Sequence, residues 1–109
     1  MKLDQYPDAI AAAEVATLEA KEDYIAKAEA VEGQRAQFKA MVAEKYPPRV
    51  GNDADRAAYL AELENSDPQY QANRKAAKEA ETGLELGRIE VRRLERLYTV
   101  ALALHGFPE

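Results

Sequence analysis

Residues 68–105 read PQYQANRKAAKEAETGLELGRIEVRRLERLYTVALALH, and the fold follows from how this stretch is punctuated and patterned. Asn65-Ser66-Asp67 stands before Pro68, the combination that opens a helix. A side-chain oxygen at Ser66 or Asp67 accepts from the first unpaired N–H groups, and proline at the first helical position removes a donor that has no partner there. Gly106 and Pro108 supply the stop. One long helix is therefore predicted over about 68–105. Along it Tyr70, Asn73, Ala77, Ala80, Leu84, Gly87, Val91, Leu94, Tyr98, Ala101 and His105 recur in steps of three and four. That is the seam of a helix packed lengthwise on another in coiled-coil fashion.

Working outward, Pro7-Asp8 marks a second helix start, and no proline follows before Pro47-Pro48. The intervening residues are mostly alanine, glutamate and lysine, strong helix formers. A first long helix is predicted over about 7–46. Gly51-Asn52-Asp53 offers turn chemistry and a cap for a short helix at about 54–64. The two long helices are then nearly equal, each of about 38 residues and roughly 57 Å long. Joined by a short connector, they predict an all-α antiparallel hairpin, residues 1–109 forming one domain. The best stripe on the first helix is Tyr24, Ala28, Val31, Arg35, Phe38 and Val42, with Val15, Leu18 and Ile25 displaced to a neighbouring face. A hairpin folded about Ala57 places opposite one another residues whose numbers sum to about 114. Leu94, Tyr98 and Ala101 are then expected to face the small residues of 9–20. Gly83 and Gly87 are expected opposite Val31 and Lys27, with Gly33 nearby, so that the backbones approach closely.

Composition narrows the function. The chain is 47% hydrophobic and 32% charged, in the range of folded domains. Much of its apolar content is alanine, which removes little surface from water, so the core is expected to be thin. A net charge of −5 opposes generic attraction to nucleic acid or anionic lipid. No cysteine is present, which fits a reducing cytoplasm and excludes thiolate metal sites. Residues 1–10 lack the basic and apolar regions of a secretion signal, and no stretch is apolar enough to span a bilayer. A cytoplasmic protein is the expectation.

No catalytic, cofactor-binding or metal-binding residue emerges. His105 is the single histidine and lacks a glutamate three residues before it, so the Glu-x-x-His pattern of di-iron bundles is missing. It suits the last turn of a helix, near the free carbonyls. Thr17, Thr82 and Thr99 have no histidine placed to activate them. The six tyrosines are scattered and read as seam residues, not as a base-stacking surface. Gly83 and Gly87 stand four apart, as in membrane helix dimers, but Glu85, Arg88 and Glu90 exclude a bilayer there. Arg88, Arg92 and Arg96 lie four apart with Arg93 beside them, a row that suits an anion or an acidic partner. Glu85, Glu90 and Glu95 interleave with it, and pairs such as Glu85 with Arg88 have ion-pair spacing. A solvated charged face is the expected outcome, and direct nucleic-acid binding is not.

The informative feature is apolar surplus. Leu94, Leu97, Val100, Leu102 and Leu104 crowd the last turns of the long helix, more than one partner helix covers. Leu86, Ile89, Leu97, Val100 and Leu104 form a second stripe, and a second copy of the chain, completing a four-helix bundle by dimerisation, is the economical way to bury it. Another protein docking on the same patch is the rival. The runs Asp55-Arg56-Ala57-Ala58-Tyr59-Leu60, Asp67-Pro68-Gln69-Tyr70-Gln71-Ala72 and Glu90-Val91-Arg92-Arg93-Leu94-Glu95-Arg96-Leu97 resemble small, uncharacterised helical proteins carried by phages and mobile elements, sometimes beside recombination genes. The likeness covers roughly the second half of the chain and transfers no functional residue. The expectation is a non-catalytic, homo-oligomeric interaction or structural module. The alternative that the resemblance and the arginine row imply is an accessory protein of DNA recombination or packaging.

Overall fold

The computed structural model describes residues 1–47 and 53–105. A 3-10 turn, Leu3–Gln5, leads into α1, Tyr6–Lys45; α2 spans Asp53–Ser66 and α3 spans Pro68–His105. The three predicted helices are present, with α3 at its predicted bounds. Helix α2 runs longer than predicted, to Ser66, whose hydroxyl donates to the Glu62 carbonyl at 2.6 Å. Asp67 is therefore the cap of α3, its Oδ1 accepting from the Tyr70 N–H at 3.0 Å. Pro48, Gly51, Asn52, Gly106 and Pro108, the remaining turn and stop residues of the sequence reading, lie outside the described residues.

The chain forms two compact units, Met1–Tyr24 with Ala80–Glu109, and Ile25–Glu79. Among the described residues of the second unit, Phe38, Val42 and Tyr70 are the buried apolar side chains. The Phe38 and Tyr70 rings meet edge to face at 5.1 Å. Beside them Asn73 Nδ2 donates to Gln34 Oε1 at 2.8 Å, a polar pair inside the seam that fixes its register. Helix α2 closes onto the end of α1. The Tyr46 and Tyr59 rings lie 5.9 Å apart, and Lys45 Nζ sits 4.2 Å from the Tyr59 ring centre. Arg56 donates to the Tyr46 carbonyl at 3.2 Å and the Pro47 carbonyl at 2.8 Å, satisfying acceptors that the helix end leaves open. Arg35 Nε approaches Glu64 Oε1 at 3.3 Å. That contact is one of charge, because Oε1 accepts no aligned hydrogen bond.

In the first unit Tyr6, Leu84 and Leu94 are buried, and the Tyr6 and Tyr98 rings lie 5.6 Å apart. Within each unit the long helices run antiparallel, as in a hairpin, but not in the predicted register. Phe38 with Tyr70, and Gln34 with Asn73, sum to 108 and 107. Tyr6 with Tyr98, and Thr17 with Gly87, sum to 104 in place of the expected 114. The shift amounts to about two to three helical turns. In the second unit α2, folded against the last turn of α1, takes up the end of that helix, so that α3 starts further back along it.

The glycine expectation changes with the register. Among the described glycines only Gly87 makes a close approach, to Thr17 and not Lys27. A Cβ there meets Thr17 Oγ1 at 2.8 Å, and that hydroxyl is committed to the Ala13 carbonyl at 2.7 Å. Gly33 and Gly83 have nothing within 4 Å of an added Cβ. Gly83→Ala is therefore expected to raise stability by about 0.5–1 kcal/mol through helix propensity alone. Gly87→Ala is expected to lower it by about 1–3 kcal/mol through overpacking. Chemical denaturation of the two variants checks the contrast; equal effects contradict the assigned contact.

The seam predicted on α3 is otherwise observed. Every member from Tyr70 to Ala101 is buried or half-buried. His105 is exposed and drops out, because Tyr98 already lies against Tyr6, the first residue of α1, and the last turn of α3 has no α1 beside it. On α1 the predicted stripe holds except at Arg35, which is exposed while Gln34 takes the inward place. No helix among the described residues is long and apolar enough to cross a membrane.

Candidate interaction surface

Each residue turns a helix by about 100°, so α3 presents a second stripe turned away from the seam. Leu86, Ile89, Arg93, Leu97, Val100 and Leu104 follow one another in steps of three or four on this outer side. The five apolar members are exposed by 61%, 51%, 40%, 52% and 81% in order. These are the residues the sequence assigned to an interface. The crowded end of α3 thus divides: Leu94 is buried at 5% and Leu102 half-buried, while Leu97, Val100 and Leu104 face solvent. Leu104 is the most exposed of the stripe because it lies beyond the start of α1.

The arginine row divides too. Arg88 binds Glu85 at 2.7 Å, and Arg93 binds both oxygens of Glu90 at 2.7 and 2.9 Å. The Arg93 hydrogen bond holds the Glu90 carboxyl below the usual carboxylate range, and Glu90 in turn raises Arg93. The pairing is present above the ordinary carboxylate pKa and is lost as pH falls through the lowered one. Arg92 and Arg96 are exposed and have no hydrogen bond or ion pair among the described residues. An open hollow of about 480 Å³ on the outer side is lined by Ile89, Arg92, Arg93, Arg96, Leu97 and Val100. A second groove, of about 610 Å³, runs past Thr17 between Glu14 of α1 and Arg88, Arg92 and Glu95 of α3. Both are open to solvent and suit the seating of another chain's side chains better than the enclosure of a small substrate.

Helix α1 carries an exposed outer stripe of its own that the sequence reading left without a role. Ala11, Val15, Leu18 and Glu22 recur in steps of four, three and four, with Glu19 beside them. All five are exposed, Val15 and Leu18 each by 56%. Alanine on every side of α1 hides this stripe in the sequence. Arg56 was also missed, because a guanidinium that reaches carbonyls nine and ten residues away has no local signature. Among the described residues no three carboxylate, histidine or cysteine side chains are grouped to hold a metal ion. No family model, curated protein or solved structure matches the chain.

Proposed function

We propose that the chain is a non-catalytic helical module that assembles with copies of itself through the outer face of α3. The observation that carries this reading is the line of five large apolar side chains, each at least 40% exposed, on the side of α3 that α1 cannot reach. Fully burying one such side chain is worth about 1.5–3 kcal/mol, so water contact along the whole stripe leaves a large driving force for association. Two copies joined there bring four long helices together, and this is the sense in which a four-helix bundle forms by dimerisation. The lack of cysteine fits a cytoplasmic setting for such a module.

Leu97→Glu combined with Leu104→Glu places two charges on the stripe without touching the seam. The pair is expected to abolish self-association while leaving helicity, measured by circular dichroism, unchanged. Retained assembly in a helical double variant sinks the proposal. An accessory role in phage or mobile-element DNA recombination or packaging has less to stand on. Glutamates occupy Arg88 and Arg93, leaving Arg92 and Arg96 to meet phosphate against a net charge of −5. It requires low-salt DNA binding that is lost when Arg92 and Arg96 become glutamine.

A further inference from the structure

We infer that the partner of the α3 outer face is the α1 outer face of a second copy, so that the chain associates head to tail. This rests on reading the α3 face as self-associating and adds what covers it. Two copies of the α3 face serve each other poorly. An antiparallel pairing that sets Leu86 against Leu104 and Ile89 against Val100 also sets Arg93 against Arg96. A parallel pairing sets each arginine against its own copy. Either way like charges meet at the middle of the contact, where desolvation makes repulsion costly.

The α1 stripe removes the conflict. Run antiparallel to α3, it matches Leu97 with Leu18, Val100 with Val15, Leu104 with Ala11, Arg93 with Glu22 and Arg96 with Glu19, each pair summing to 115. The spacing agrees as well as the chemistry. Arg93, Leu97, Val100 and Leu104 rise in steps of four, three and four, and Glu22, Leu18, Val15 and Ala11 descend in the same steps. All are exposed. Glu19, Glu22 and Arg96 have no hydrogen bond or ion pair among the described residues, so the opposite charges stand free on the two surfaces. Arg93 brings its Glu90 pair with it. Because the contact joins two different faces, two copies close on each other when both α3–α1 contacts form at once, and otherwise leave one face of each kind open to a further copy. The matched stretch covers three turns, at the small end of interfaces, so association is expected to be weak and concentration-dependent.

The test mixes two exposed-surface variants and reads mass by light scattering on gel filtration. One carries Val15→Glu and Leu18→Glu, the other Leu97→Glu and Val100→Glu. Each alone is expected to be a monomer. An equimolar mixture is expected to give a dimer of one copy of each, since each supplies the face the other lacks, and to stop there. If the α1 variant self-associates like the unchanged chain while the α3 variant is monomeric, the α3 face pairs otherwise: the head-to-tail inference falls and the module reading stands. If the unchanged chain is monomeric at every concentration, both fall.

Discussion

Phe38→Ala is expected to lower stability by about 3–5 kcal/mol, the range for deleting a buried aromatic ring. Phe38 is 8% exposed and meets the edge or face of Tyr70, itself 2% exposed, across the seam at 5.1 Å. Apart from Val42 no other apolar side chain among the described residues of that unit is buried, so little material is available to relax into the cavity. Part of the loss is the ring contact itself, worth about 0.5–1.5 kcal/mol beyond burial. Small domains have a total stability of about 5–15 kcal/mol, so the variant is expected to lose most of its resistance to urea. Tyr70→Phe keeps the ring and is expected to change little. Denaturation midpoints followed by circular dichroism check both, and a loss below about 1 kcal/mol for Phe38→Ala, the level of a surface change, means that the rings do not hold the helices together.

Leu94→Ala is the counterpart in the other unit, with an expected loss of about 2–5 kcal/mol. Leu94 is 5% exposed and Leu97, one turn later, 40%. Under dilute conditions, where no assembly contributes, Leu97→Ala is expected to cost less than about 1 kcal/mol. The two substitutions delete the same atoms from one helix, so their difference measures the division of α3 into a packed side and an outer side. Equal losses contradict that division and, with it, the account of the outer stripe as unpartnered surface.

How much of this was legible depends on how sharply polar and apolar residues alternate. On α3 the seam positions from Tyr70 to Ala101 carry no charged residue, and the seam could be read from spacing alone. On α1 alanine occupies every face. The inward places of Thr17 and Gln34 were missed, and Arg35 was put where Gln34 belongs. Helix starts were legible because Pro7, Asp67 and Pro68 act locally. Register was not, since it depends on Arg56, Lys45 and Tyr59 fastening α2 to the end of α1, contacts that no local pattern encodes. The three glycines show the same limit. The propensity penalty was visible for each, but only the register decides that Gly87 meets Thr17 and that Gly33 and Gly83 meet nothing. For the surface, the surplus of leucines at the end of α3 was legible as a count. The exposed stripe on α1 from Ala11 to Glu22 became visible only once Thr17 identified the inward side of that helix.

The most direct test of the central claim is the absolute mass of the unchanged chain in solution across a tenfold range of concentration. The outer face of α3 predicts a mass above the 12.1 kDa of one chain that rises with concentration. A constant 12.1 kDa throughout contradicts it.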